Sequence, residues 1–228
     1  MLQTQKRLLN YLRPILGLPI RLVNASIIVA LLAVRLVCAC YNGSMRDTPI
    51  NPGQVKTGDV LLYRRGRTLM SWLIAGIGRS PYSHAAMIDR VGDSPLMLET
   101  RQWIGARVLS LRDEVLHGDT PIDVYRPVGS AAMAARQAAA YMWRLEGREY
   151  GWLALFRAAL LRMPVLRLVL PAKWKQERGD LAPYCSMAVS AAYRSAGVDL
   201  VPNLADQFTE PGDLARSAML QYVGTLSK

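Results

Sequence analysis

The sequence predicts an α+β domain behind a membrane-directed N-terminal segment. Short apolar runs separated by turn residues fill the first half of the globular part, helical spacing fills the second half, and an apolar stretch of bilayer length precedes both. Strands gathered before helices favour segregated layers over the alternation that builds a parallel α/β sheet. At 228 residues, one catalytic-sized domain with a short appendage is the simplest organisation and leaves room for a full core. No internal repeat is visible.

Taken in order, residues 1–45 form the N-terminal segment. Lys6, Arg7, Arg13 and Arg21 precede residues 22–41, where 17 of 20 positions are apolar and Asn24, Ser26 and Arg35 are the interruptions. The uninterrupted run at 27–34 suits a secretory apolar region, and the whole stretch is long enough to span a bilayer. Two readings stay open. One is a retained single-span anchor with its basic end inside. The other is a signal ending at Val37-Cys38-Ala39-Cys40, cleaved there or lipidated on Cys40. From Asn42 onward the chain is rich in Asn, Gly, Ser and Pro, and 46–54 reads as a linker outside the targeting segment.

The domain is expected over 55–228. The turn Lys56-Thr57-Gly58-Asp59 feeds a strand at 60–63, and a helix at 69–77 stops at Gly78. A strand at 83–91, a turn at 92–95 and strands at 96–100, 106–111 and 122–125 follow. An alanine-rich helix at 131–145 ends before Gly147. Residues 152–174 are almost all apolar or cationic, broken by Pro164 and Pro171. Arg157, Arg162 and Arg167 are five apart, so each is rotated by about 140° from the last and no single polar face forms. That stretch suits helices lying on a membrane or over an apolar substrate groove, or a core layer with snorkelling arginines. A helix at 185–196 has Gly197 at its C′ position, and a closing helix is expected from about Pro211 to Tyr222.

Lys and Arg outnumber Asp and Glu by 28 to 17, unevenly. Residues 1–46 hold six cations and no acid, and residues 130–180 hold nine cations against four acids. Both blocks adjoin very apolar sequence, which suits an anionic membrane surface. Basic residues interleaved with exposed aromatics, and any nucleic-acid motif, are lacking, so no nucleic-acid partner is expected. The expected location is the cell envelope, in association with membrane.

The chemistry centres on two sites about a hundred residues apart. Cys185 opens a helix, and it is the one cysteine outside the N-terminal segment, so it has no disulfide partner in the domain. A thiol in a first helical turn meets the helix dipole and free backbone amides, which suit an anion or an oxyanion; a buried structural cysteine is the bland alternative. Pro183 is expected in that first turn, with Asp180 or Ala182 just outside it. His84 enters an apolar strand, where an imidazole can act as general base to a thiol. Glu99 ends the next strand and is placed to hold the second ring nitrogen. His117 reads as an exposed loop residue. No Cys and His cluster has metal-ligand spacing, so neither metal nor cofactor is expected.

Thr57-Gly58-Asp59-Val60, Ser83-His84-Ala85-Ala86-Met87-Ile88, Glu99, Glu149-Tyr150-Gly151, Tyr184-Cys185-Ser186 and Pro211-Gly212-Asp213-Leu214-Ala215 occur in that order. This ordered set resembles the permuted branch of the NlpC-type papain-like hydrolases, the YiiX-like group, over residues 55–218. The resemblance implies a small antiparallel sheet or partial barrel packed against helices, with the catalytic cysteine at a helix start. It implies Cys185 as nucleophile, His84 as base and Glu99 as third polar residue. Tyr150, Tyr184 and Ser83 are then candidates for substrate binding or oxyanion stabilisation. Related lecithin-retinol-type acyltransferases carry Asn-Cys-Glu-His around the nucleophile, where this chain has Tyr184-Cys185-Ser186-Met187.

The expected activity is a membrane-associated cysteine hydrolase cleaving an amide or ester through an acyl-enzyme. The expected substrate is a cell-wall peptide or an acylated molecule. A lipid acyl hydrolase or acyltransferase using the same site, and a catalytically silent binding protein using the same cleft, are the alternatives.

Overall fold

The computed structural model describes residues 48–162, 182–202 and 204–227. The N-terminal segment 1–45 and the part of the cationic stretch beyond Arg162, with its two prolines, lie outside the described residues. Among the described residues no helix is long and apolar enough to cross a membrane.

The chain folds as β1 (Pro49–Ile50), a 3-10 turn (Pro52–Gln54), β2 (Val60–Arg64), α1 (Leu69–Ile77), β3 (Tyr82–Val91), β4 (Ser94–Arg101) and β5 (Gly105–Ser110). It continues through α2 (Leu111–His117), β6 (Ile122–Pro127), α3 (Ser130–Trp143), α4 (Trp152–Arg162) and α5 (Cys185–Ser195). A 3-10 turn (Asp206–Phe208), α6 (Pro211–Ala215) and β7 (Leu220–Leu226) complete it. The strands form one seven-stranded sheet in the order β1-β7-β6-β2-β3-β4-β5. Every pairing is antiparallel except β1 with β7. The α+β expectation therefore holds, with a mixed sheet that leaves β1 and β5 as edges.

Three expectations need correction. The closing helix ends at Ala215, and Leu220–Leu226 is a strand, paired with β6 through Asp123–Thr225 and Val124–Gly224. Residues 211–222 contain enough helix formers to read as helix, but β-structure is decided by neighbours, and β7 fills the gap between β6 and β1. The linker reading fails from Pro49 onward, because Pro49 and Ile50 add a parallel strand to that edge and Ile50 is buried. The run ending at Leu111 hides a helix: Ser110 caps α2 by accepting from the Asp113 N–H, with Asp113 and Glu114 in its first turn.

The sheet has a core on each face because its strands are apolar at both parities. Val60, Leu62, Ala85, Met87 and Leu98 face α3 and α5 in one cluster. Leu61, Ala86, Ile88 and Met97 join Leu111 and Val115 of α2 in the other. Burying each such Leu, Ile or Met side chain contributes about 2–3 kcal/mol. Eight of the eleven α5 residues are buried, which small Ala and Ser side chains permit by letting neighbouring elements approach on several sides. The Thr57-Gly58-Asp59 motif is structural: Gly58 has φ +89, a Cβ there would meet Ala135, and its carbonyl accepts from Tyr193. Asp59, fully buried, takes a two-pronged bond from Arg126 at 2.9 and 2.7 Å.

Candidate active site

The sheet half of the site comes from β3 and β4. Ala86 lies opposite Glu99 and Tyr63 opposite His84. His84 and Glu99 are thus diagonal neighbours on one face of adjacent strands, within side-chain reach. His84 Nε2 and Glu99 Oε2 are 2.6 Å apart. Tyr63 packs its ring edgewise on the imidazole at 5.1 Å and anchors its own hydroxyl on Met97 and Glu114. The Glu99 side chain is wholly buried, and its other oxygen accepts from Arg107 Nε at 2.7 Å with Arg101 at 3.5 Å.

The helix half is built by α5 and the segment before α4. Tyr184 is the N-cap and Cys185 the first helical residue, so Pro183 stands one position outside the helix, contrary to the expectation. The first intrahelical bond runs from Ala188 N–H to the Tyr184 carbonyl. The N–H groups of Cys185, Ser186 and Met187 precede it. Gly151 locks this segment to its neighbour. Its N–H bonds the Pro183 carbonyl at 3.2 Å, and a Cβ at 151 would sit 1.9 Å from the Ala182 carbonyl oxygen. A side chain there would push Tyr150 away from Cys185, which explains the Glu149-Tyr150-Gly151 motif.

The two halves meet at the sulfur. Cys185 is buried, and it is among the neighbours that raise the His84 imidazole. Burial alone would favour the neutral ring, but the Cys185 sulfur and the Glu99 carboxylate outweigh it and raise His84 to about 9. Burial also opposes ionised Glu99, and His84, Arg101 and Arg107 outweigh it, lowering the carboxyl to about 2. The pair therefore favours imidazolium beside carboxylate. Tyr150 is buried with its hydroxyl beside the Cys185 sulfur and the Gln102 amide, yet that hydroxyl makes no hydrogen bond of ordinary geometry. Burial, then the sulfur's charge, hold it above the usual tyrosine range, so it stays a protonated donor.

Of the six residues singled out from sequence, four converge: Cys185, His84, Glu99 and Tyr150. Tyr184 does not join them through its hydroxyl, which is buried and donates to the Gln207 and Thr209 carbonyls at 3.0 and 3.1 Å. Ser83 turns its hydroxyl to the Arg64 carbonyl at 3.5 Å, a backbone tie. Sequence reasoning missed Arg107, Arg101 and Gln102. Arg107 was within reach, because the β4–β5 hairpin register sets it directly opposite Glu99. His117 ends α2 and is exposed, as expected of it, though on a helix and not in a loop. Among the described residues no group of three or more His, Cys, Asp or Glu is arranged to hold a metal ion.

No family model matches the chain, and no curated protein sequence matches it. Among solved structures it is similar to the metalloprotein YiiX from Escherichia coli O157:H7, with a TM-score of 0.52 at 16% sequence identity. The match covers 77% of this chain and 99% of that one. At this identity the likeness is one of fold, and the described domain has a YiiX-like α+β fold.

Proposed function

We propose that this protein is a cysteine hydrolase of the permuted papain-like, NlpC-type group, acting on an amide or ester carbonyl. The observation that carries the reading is the His84–Glu99 hydrogen bond, on a ring whose protonation a buried, helix-opening cysteine favours. Nucleophile, base and orienting carboxylate are the parts that acyl transfer requires. With His84 already holding the proton, the Cys185 sulfur attacks as a thiolate and bonds the carbonyl carbon while the carbonyl π pair moves onto oxygen. The oxyanion meets the Cys185 backbone N–H, a first-turn donor, and the Tyr150 hydroxyl, a buried donor without a hydrogen-bond partner. His84 returns the proton to the leaving nitrogen or oxygen, and a thioester remains. Water, deprotonated by His84, then releases the acid and the thiol.

The word metalloprotein belongs to the YiiX structure. In this chain both Glu99 oxygens are engaged, one by His84 and one by arginines, so an ion at that carboxylate would face guanidinium charge. The residues do not fit a resident ion, and no step is routed through one. Support for membrane association comes from the bilayer-length apolar segment at 22–41 and the cationic excess. Cell-wall peptides are the leading substrate class, with acylated lipids as the alternative.

The test is mass spectrometry of the protein incubated with peptidoglycan fragments or with phospholipids. A product and an acyl adduct on Cys185, both abolished in Cys185→Ala and His84→Asn, are expected. A folded protein that labels with a thiol probe but turns over neither class would leave a silent binding protein as the better reading.

A further inference from the structure

Helix α4 presents an apolar arc to solvent. Placing Trp152 at 0° and advancing about 100° per residue sets Phe156 near 40°, Leu160 near 80° and Leu153 near 100°. This arc faces outward: Leu153 and Phe156 are 58% and 60% exposed. The opposite side holds the buried Ala154, Leu155, Arg157 and Ala158. Arg157 is nearly inaccessible and bonds Gln207 at 3.0 Å, and Arg162 bonds the Phe208 carbonyl at 2.8 Å and pairs with Asp213. A surface helix in water turns its charges out and its apolar stripe in; here the guanidiniums are tied inward and the apolar arc is presented.

The hairpin between β4 and β5 extends this face. Trp103 is 85% exposed and Ile104 58% exposed. Trp103 stacks on Trp152 with ring centroids 4.6 Å apart, and Trp152 meets Tyr150 at 5.0 Å. An unbroken line of aromatic rings thus joins the outward face to the tyrosine beside Cys185. Trp103 also has φ +68, a left-handed conformation that carries a strain cost for a bulky residue. The hairpin bears that cost while keeping a tryptophan in the open, where Gly or Asn would sit without strain.

We propose that the hairpin tip and the outward arc of α4 form a bilayer-docking face that sets the Cys185 cleft against anionic lipid. Tryptophan beside aliphatic side chains suits the headgroup boundary. Residues 48–228 hold 22 cations against 16 acids, an excess that suits an anionic leaflet. Reach supplies the third argument. Only residues 42–47 separate the apolar segment at 22–41 from Thr48, and six extended residues span at most about 20 Å. A domain so tethered stays within about that distance of the bilayer. This inference rests on the proposed tether, and the test separates the two.

Full-length protein is reconstituted with vesicles of phosphatidylglycerol and phosphatidylcholine, with and without lipids brominated at shallow acyl positions. Flotation reports the tether, and tryptophan quenching by bromolipid reports the docking face. The wild type is expected to float and to be quenched. Trp103→Phe is expected to remove at least a third of that quenching, and Leu153→Glu with Phe156→Glu at least half, with near-ultraviolet circular dichroism and flotation unchanged. Flotation with quenching indifferent to all three substitutions overturns the docking face and leaves the tether standing. Protein recovered free of vesicles overturns both. An oligomer that the double substitution converts to monomer, without change in quenching, assigns the face to a second copy and overturns the proposal.

Discussion

Two buried carboxylates in one sheet show how similar surroundings give different roles. Asp123 on β6 and Glu99 on β4 both have wholly buried side chains, and both are paired to arginine. By register they lie on opposite faces, Asp123 opposite Leu62 and Glu99 opposite Ala86. Asp123 receives Arg64 twice at 2.9 Å, Tyr82 at 2.8 Å and Thr225 at 2.7 Å. All of those partners keep their charge through the physiological range, so the network can only hold β6, β2, β3 and β7 together. Glu99 has one arginine-held oxygen and one oxygen on a histidine that itself meets a thiol. A buried carboxylate is available to proton chemistry when one of its partners can exchange a proton, and is confined to scaffolding when none can.

Asp123→Ala should break the scaffold side hardest. It removes the Arg64–Asp123 ion pair and the Tyr82 and Thr225 bonds to that carboxylate, and breaking such a pair costs about 3–5 kcal/mol. The lower end is expected, because Arg64 keeps 20% of its side chain exposed to water. Urea denaturation should show the loss, while thiol labelling per folded molecule stays as in the wild type. A large drop in labelling at full folding would mean that the two carboxylates are coupled.

Glu99→Gln should do the reverse. The amide keeps the shape but cannot match the charge that holds His84 protonated, so turnover should fall about 10²–10³-fold. Probe labelling of Cys185 should remain measurable, since Glu99 orients and does not attack. Unchanged turnover would show that another group holds the ring.

The pH dependence of stability sharpens the contrast. Glu99 is lowered from 4.5 to about 2, so its contribution is present above its unfolded value and is lost as pH falls towards 2. His84 is raised from 6.5 to about 9, so its contribution is full below 6.5 and is lost as pH rises through 9. The stability gap between wild type and His84→Asn should therefore be widest between about 4.5 and 6.5 and should shrink towards pH 9. A gap that grows with pH would mean the ring is buried neutral.

Tyr150→Phe should have the smallest effect on the fold and a distinct one on catalysis. Its hydroxyl is buried without an ordinary hydrogen bond, so deleting it should leave the melting temperature equal or slightly higher. Turnover should fall about tenfold or more if the hydroxyl meets the oxyanion. Lower stability with unchanged turnover would make it a packing residue.

Much of the local structure was legible. The helix at 69–77 matched to the residue, because Thr68 caps it and Gly78 closes it. The helix opened by Cys185 followed from its small residues and from Gly197, whose φ is +82. Cys185, His84 and Glu99 were singled out as candidates from the one thiol beyond the N-terminal segment, two imidazoles and a carboxylate after an apolar run. What sequence left undecided was pairwise. Nothing local in 220–226 distinguishes strand from helix, because the deciding bonds are to β6, about a hundred residues away.

Side-chain direction was equally hidden. Tyr184 is adjacent to Cys185 in sequence, yet its hydroxyl is committed to Gln207 and Thr209. Tyr150 is thirty-five positions from Cys185, and it reaches the sulfur because Gly151 lets two backbones touch. By itself, then, the sequence determined the element types where caps and periodicity act within a few residues, and which atoms were available for chemistry. Only the tertiary structure decided which of those atoms meet, because sheet register, helix entry angle and close backbone contact depend on residues far apart in the chain.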